Sequence, residues 1–433
     1  MEKDRLISIP HLGRVEGHGG IEVEIEDGKV TRVNMDIFEG SRFYEVLVVG
    51  RKFTEISSIV SRVCGICSAG HTLTSQMAAE NALGIKVTQR TEFLRGLLLH
   101  GEAIESHALH LGCLVLPDLL GYDGLLAMAK DYPGQVSIAL NLKKLGNQVQ
   151  DLIGGRAIHP INAVVGGFGR IPQKKELEKL NFELEKGLEL STALVDLFSK
   201  IRLPEYTTHS GIYAALEPTE QRYSYLGDNI ITSDGVRRPI EDFRSICHEK
   251  VVSHSTAKQS LYNSQPFMVG ALARLNLHWK LLTKKAKETQ EKLLQELPSH
   301  NPLHNNYAQM VELVHSIERS QQLIKFLFEQ GFGDEEPLKY EIHAGKGVGA
   351  IEVPRGTLYH YYEFDDEGKI VDADIITPTA QNLANVEKDM RGAVEKLIKE
   401  PVKVIRNSLE SIARAYDPCI SCATHLVKLK VVK

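Results

Sequence analysis

The sequence predicts a mainly α protein with small β-sheets (α+β), one large helix-dominated domain, residues 1–433, around a buried metal site. Three observations carry this expectation. Long segments with apolar residues at three- and four-residue spacing fill most of the interior. Two segments of alternating polarity, one near each end, break at turn residues. Two Cys-x-x-Cys pairs lie 355 residues apart, much farther than the pairs of a zinc ribbon or finger.

The first hairpin is expected from Ile21 to Phe38, with Ile-Glu-Val-Glu-Ile-Glu on one side of Asp27-Gly28 and Val-Thr-Arg-Val-Asn-Met on the other. A helix over 72–83 ends at Gly84, a residue suited to a C-cap. A second, over 91–116, stops at Pro117. Helical periodicity then covers about 136–153, 173–200, 257–296, 305–331 and 379–414. Glycine-rich loops are expected at Gly154-Gly155, Gly166-Gly167-Phe-Gly169 and Gly345-Lys-Gly347-Val-Gly349. A late hairpin runs from Tyr359 to Phe364, turns at Asp366-Glu-Gly-Lys, and returns from Ile370 to Ile376, where Pro378 closes it.

Bulk properties narrow the class. A net charge of −5 gives no basic surface for nucleic acid. Six cysteines in 433 residues are too few for a disulfide scaffold. Met1-Glu-Lys-Asp-Arg leads into no apolar run, so no signal peptide is expected, and no membrane span either. A cytoplasmic setting is the expectation.

Four of the cysteines form the pairs Cys64-Gly-Ile-Cys67 and Cys419-Ile-Ser-Cys422. Each pair alone could be half a zinc site or a redox dithiol. Four thiolates together bind a soft or borderline metal. The flanks are more specific: Arg62 and His71 bracket the first pair, Asp417-Pro418 and His425 the second, and neither His spacing is that of a zinc finger. Cys113 lies in an apolar helical stretch and reads as core, and Cys247 has no ligand role.

These flanks resemble the large, catalytic subunit of nickel–iron hydrogenases, whose signatures are Arg-x-Cys-Gly-x-Cys-x-x-x-His and Asp-Pro-Cys-x-x-Cys-x-x-His. Both are present without a departure, and the likeness runs through nearly the whole chain. The resemblance implies that Cys64 and Cys419 are terminal nickel thiolates. Cys67 and Cys422 would bridge nickel to an iron carrying carbon monoxide and cyanide. It implies that His71 hydrogen-bonds a bridging sulfur. Glu16, in Gly13-Arg-Val-Glu-Gly-His18, would relay protons; alone it reads as a solvated residue at the entry to a strand.

Val353-Pro354-Arg355-Gly356 matches the family's Pro-Arg-Gly segment, which places Pro354 and Arg355 over the metals. Thr379 would donate to a cyanide, and Asp118 and Asp417 would pair with Arg355. Without the motif, Arg355 reads as a turn arginine. Glu45, the backbone carbonyl of Ile375 and His425 would bind magnesium, or iron, near the C-terminus. The family's precursor is cut after the final motif histidine, so residues 426–433 are expected to be a tail removed on maturation.

The implied activity is reversible heterolytic cleavage of H2. The first proton goes to Cys419 or to a base assisted by Arg355. With no spare cysteine set and no Gly-x-Gly-x-x-Gly, iron–sulfur clusters and nicotinamide binding belong to partners. The partners expected are an iron–sulfur small subunit, together with further diaphorase-type electron-transfer subunits. Phe267-Met-Val-Gly-Ala-Leu-Ala-Arg274-Leu-Asn276 resembles the cytoplasmic, cofactor-coupled branch, which points to an NAD(P)-linked enzyme. Coupling to a deazaflavin or a heterodisulfide reductase stays open. So do two non-hydrogenase readings: a complex I-like scaffold without the metals, and a structural zinc subunit.

Overall fold

Three antiparallel strands open the chain: β1 (Arg5–Ile9), β2 (Gly19–Glu26) and β3 (Lys29–Ile37). The expected hairpin is β2–β3. Asp27 and Gly28 both take positive φ (48° and 72°), the geometry of the two-residue turn that Asp-Gly favours. Ile21, Val23 and Ile25 face the core, while Glu22 and Glu24 point out toward Arg32. The computed structural model describes residues 4–206, 211–219, 221–331 and 335–424.

Helices α1 (Ser68–Leu83), α2 (Gln89–Leu109), α3 (Pro133–Gly154) and α4 (Lys174–Phe198) follow. Gly84 caps α1 in the left-handed conformation, as its position implied. Thr88 caps α2, its hydroxyl accepting the Thr91 N–H at 3.1 Å. The expected stop at Pro117 is different in the structure. The chain widens into a π turn at His110–Val115 and resumes as a short helix, Leu116–Leu119. Proline is tolerated there because a first-turn N–H has no intrahelical partner anyway.

The next region departs from expectation. A four-stranded sheet contains β4 (Ile212–Pro218) and β5 (Gly227–Thr232), edged by Phe267–Met268 and Arg237–Pro239. The single helical segment over 257–296 is therefore wrong. It divides into the short strands Gln259–Leu261 and Phe267–Met268, helix α5 (Ala271–His278) and a helix at Lys284–Leu293. Asn263 and Ser264 turn the chain at positive φ, and Pro266 and Gly270 interrupt the helical period.

Helix α6 (His304–Gln330) packs against α2 and α4 to complete the helical core. Strands β6 (Gly345–Val353), β7 (Gly356–Phe364) and β8 (Ile370–Ile376) form an antiparallel sheet, so the expected glycine-rich loop at 345–349 is a strand instead. The glycines serve a close approach. A Cβ on Gly347 or Gly349 would run into the α1 backbone carbonyls of Ala78 or Thr74. The segment 379–414 divides at Pro401 into α7 (Pro378–Lys396) and α8 (Val402–Ala415). Among the described residues no helix is long and apolar enough to cross a membrane.

Candidate metal centre

The centre sits where the two chain ends meet. Cys64 leaves a short 3-10 turn in extended conformation, and Cys67 caps the start of α1. Cys419 precedes the short helix Ile420–Ala423. Residue 16 pairs with residue 419 as a parallel β-bridge, and the Ile420 N–H donates to the Glu16 carbonyl at 3.0 Å. This links the fold's first turn to its last.

All four sulfurs lie within 4.8 Å of one another and are buried. Cys64 and Cys419 Sγ are 3.4 Å apart, Cys67 and Cys422 Sγ 3.7 Å, and the Cys67 N–H donates to Cys64 Sγ at 3.2 Å. The Cys67 side chain also hydrogen-bonds Cys64. That contact, aided by the nearby Arg355 charge, holds the Cys64 thiol below its ordinary value, and Cys67 is pushed up as the proton-bearing partner. Cys419 and Cys422 are paired as a disulfide, with Cα atoms 5.4 Å apart. Service as metal thiolates requires this pair in its reduced form.

Arg355 lies near the sulfurs, close enough for its charge to act on Cys64 and Cys67. It lies in the two-residue turn between β6 and β7, where Val353 pairs with Gly356. Its Nε donates to the Asp417 carbonyl at 2.7 Å and its Nη2 to Asp417 Oδ1 at 3.0 Å. Burial opposes the guanidinium charge, but the Asp417 carboxylate, aided by the cysteine sulfurs as thiolates, outweighs it, so Arg355 titrates above its ordinary value. Asp417 adopts φ 50°, a strained value for a non-glycine residue, and also accepts from Gln309 Nε2 at 3.2 Å. The Thr379 hydroxyl oxygen accepts the Cys419 N–H at 3.0 Å. Asp118 is a correction: its carboxylate binds Arg14 and Arg414, not Arg355. Those two arginines hold it at the rim, tying the Glu16 loop to α8.

Glu16 is half-buried beside the late pair. Its Oε2 accepts the Ser421 N–H at 3.1 Å, and Ser421 Oγ donates to Glu39 at 2.7 Å. His71 Nδ1 lies 3.0 Å from His360 Nε2, and His360 Nδ1 lies 2.7 Å from the Tyr362 hydroxyl. Glu45 Oε1 accepts the Ile375 N–H at 3.0 Å, so two of the expected magnesium ligands are adjacent. Burial pushes the Glu45 carboxyl up to about 7. His425 and residues 426–433 lie outside the described residues.

Comparison with known proteins decides the family. The family model described as nickel-dependent hydrogenase matches residues 42–122 and 206–425. The chain is 43% identical to the alpha subunit of sulfhydrogenase 1 from Pyrococcus furiosus, covering 98% of both proteins. This chain belongs to the nickel-dependent hydrogenase family. It is also 30% identical to a subunit of the vhc F420-non-reducing hydrogenase of Methanococcus voltae, over 97% of this chain and 95% of that one. Its fold matches an NAD+-reducing [NiFe]-hydrogenase in the H2-reduced state with a TM-score of 0.87. That match has 26% identity and covers 97% of this chain and 99% of the other. The chain is a nickel–iron hydrogenase large subunit, and the zinc and scaffold readings fall away.

The hydrogenase's residues fit the metals its family implies. Four buried sulfur donors converge, and the buried Nη1 of nearby Arg355 meets no partner among the described residues. Sequence reasoning missed several buried groups nearby. Glu102 is fully buried, with one oxygen on the Gly70 N–H at 2.9 Å. Lys258 and Glu249, 2.6 Å apart, flank Glu45. Arg274 and Glu312 form a buried ion pair. Glu102, Arg274 and Glu312 are charged residues in helical segments, a pattern that reads as a solvated helix face, and Glu249 and Lys258 stand among polar neighbours that read as exposed chain. The one available signal was position: Arg274 falls in the segment that resembles the cofactor-coupled branch.

Proposed function

We propose that this subunit cleaves H2 reversibly and heterolytically and passes electrons through an iron–sulfur partner to a soluble acceptor, NAD(P). The convergence of four buried sulfurs close to the Arg355 charge carries the reading. Bound here, nickel and an iron with carbon monoxide and cyanide would polarise H2. Cys64 and Cys419 would hold nickel, and Cys67 and Cys422 would hold nickel together with the iron. His71, one nitrogen held by His360, would hydrogen-bond one of the metal-holding sulfurs with the other. Arg355 stays charged, and its unpartnered Nη1, with Thr379, would hold the cyanides and orient the gas. Cys419, or a base assisted by Arg355 and Asp417, takes the proton. Glu16, one bond from the Cys419 segment, carries it outward through the Ser421–Glu39 side. Glu45, the Ile375 carbonyl and His425 would hold magnesium.

Electrons leave through partners because Cys113 and Cys247 are separately buried and offer no cluster set. The alpha designation of the Pyrococcus furiosus relative supports a multi-subunit assembly, and the fold match to an NAD+-reducing enzyme supports the acceptor. Likeness to F420-non-reducing enzymes supports a second reading, coupling to a non-nicotinamide carrier. The test is metal analysis and infrared spectroscopy of the purified enzyme complex. Near-equal nickel and iron with carbon monoxide and cyanide bands is expected; zinc alone would refute the proposal. NAD(P)H formation under H2 then separates the two acceptors.

A further inference from the structure

Arg274 lies on α5 and is 1% exposed. Its guanidinium has five N–H donors, and the structure shows five acceptors for them. Nε and Nη2 reach the two carboxylate oxygens of Glu312 at 2.7 and 2.8 Å. Nη1 reaches Glu352 Oε2 at 2.7 Å. The remaining bonds go to backbone, from Nη1 to the Val353 carbonyl and from Nη2 to the Pro354 carbonyl, both at 3.0 Å. These carbonyls belong to the two residues just before Arg355. The third carbonyl in line, that of Arg355, lies against Gly270, where a Cβ would come within 2.9 Å of it and φ is +111°. Asn382 also reaches it, at 3.4 Å.

The carboxylates that hold Arg274 are themselves held. Glu312 accepts from the Tyr223 hydroxyl and lies 2.9 Å from His107 Nε2. Glu352 accepts the Leu216 N–H at 2.8 Å and the Thr357 hydroxyl at 2.7 Å. A planar fork clamped at both ends transmits position in a way a flexible ammonium does not. We propose that Arg274 is a positioning residue that fixes the turn carrying Arg355, and thereby sets where the free Nη1 of Arg355 sits over the metal centre. This rests on the reading that Arg355 acts at that centre.

The test compares R274K, R355K and the double variant in the complete enzyme complex. Lysine keeps the charge but cannot span two carboxylates and two carbonyls. R274K is expected to load nickel and iron in the parent proportion and to shift the cyanide infrared bands. Its kcat for H2 uptake should fall roughly 10- to 100-fold, the scale of a misplaced catalytic group. The double variant should be no slower than R355K alone. Parent bands and rate in R274K, or multiplicative losses in the double variant, overturn the proposal. If R355K itself leaves bands and rate unchanged, the reading of Arg355 fails instead. Should R274K yield no loaded enzyme, R274M/E312Q/E352Q removes both ion pairs together, leaves no buried carboxylate uncompensated, and carries the same expectation. Parent-like bands and rate there are equally fatal.

Discussion

Glu102 shows what a single buried carboxyl does to the fold. Burial pushes its pKa from an ordinary 4.5 up to about 8, even though the Gly70 N–H opposes the shift. Between roughly pH 5 and 8 the folded chain therefore keeps a proton that the unfolded chain has lost. Stability should fall as pH rises through that window and level off above it, by at most about 1.4 kcal/mol per pH unit from this group. Glutamine at this position cannot ionise, so E102Q should lack that part of the slope. Urea midpoints at pH 5.5 and 8.5 check it, and equal slopes in the two proteins would sink the claim. At this scale legibility follows local spacing. The cysteines and Arg355 announce themselves because their motifs are contiguous. The true partners of Asp118 are hidden in the sequence because Arg14 and Arg414 reach it only through the fold. Glu102 escapes notice because a charge in a helix normally marks its solvent face.

The elements are legible wherever period and punctuation agree, as in the Asp27-Gly28 hairpin and in α1 with its Gly84 cap. They mislead where tertiary contact overrides local pattern. Gly345-Lys-Gly347-Val-Gly349 has the composition of a loop, yet it is strand β6 because only glycine lets the strand lie against the α1 backbone. The same contact gives a prediction. G349A places its new methyl against the Thr74 carbonyl and the Ala78 nitrogen, rigid backbone atoms that cannot swing aside. It should cost on the order of 1–3 kcal/mol, the usual penalty of overpacking, or more if α1 is pushed off the sheet. Thermal unfolding of the purified variant measures this, and an unchanged Tm would show that the helix and strand can separate freely. Since Cys67 caps α1, such a shift should also lower metal content, whereas the same change at exposed Gly134, where nothing lies within reach of the new methyl, should do neither.

On the scale of the whole molecule, the metal centre is a joint between the chain's ends. Gly13 O accepts from Arg414 Nη1 at 3.0 Å, Glu16 pairs with the Cys419 segment, and the Arg42 N–H donates to Thr424 O at 2.8 Å. From Ile412 to Thr424 every residue is buried, and Thr424 is fully so. A joint of this kind closes only when the last segment docks, because two of the four sulfurs arrive with it. Residues 426–433 add three lysines directly beyond that buried stretch, and charged ammonium groups are costly to bury without partners. The resemblance in the motif ending at His425 implies that those residues are removed once metal is in place. The mature protein is therefore expected to end at His425, and intact-mass measurement of active, metal-loaded enzyme tests this directly. A fully active enzyme that retains Leu426–Lys433 would break the link between cleavage and closure. Docking of the late cysteines would then be complete without processing, and the first and last turns alone would suffice to shut the site.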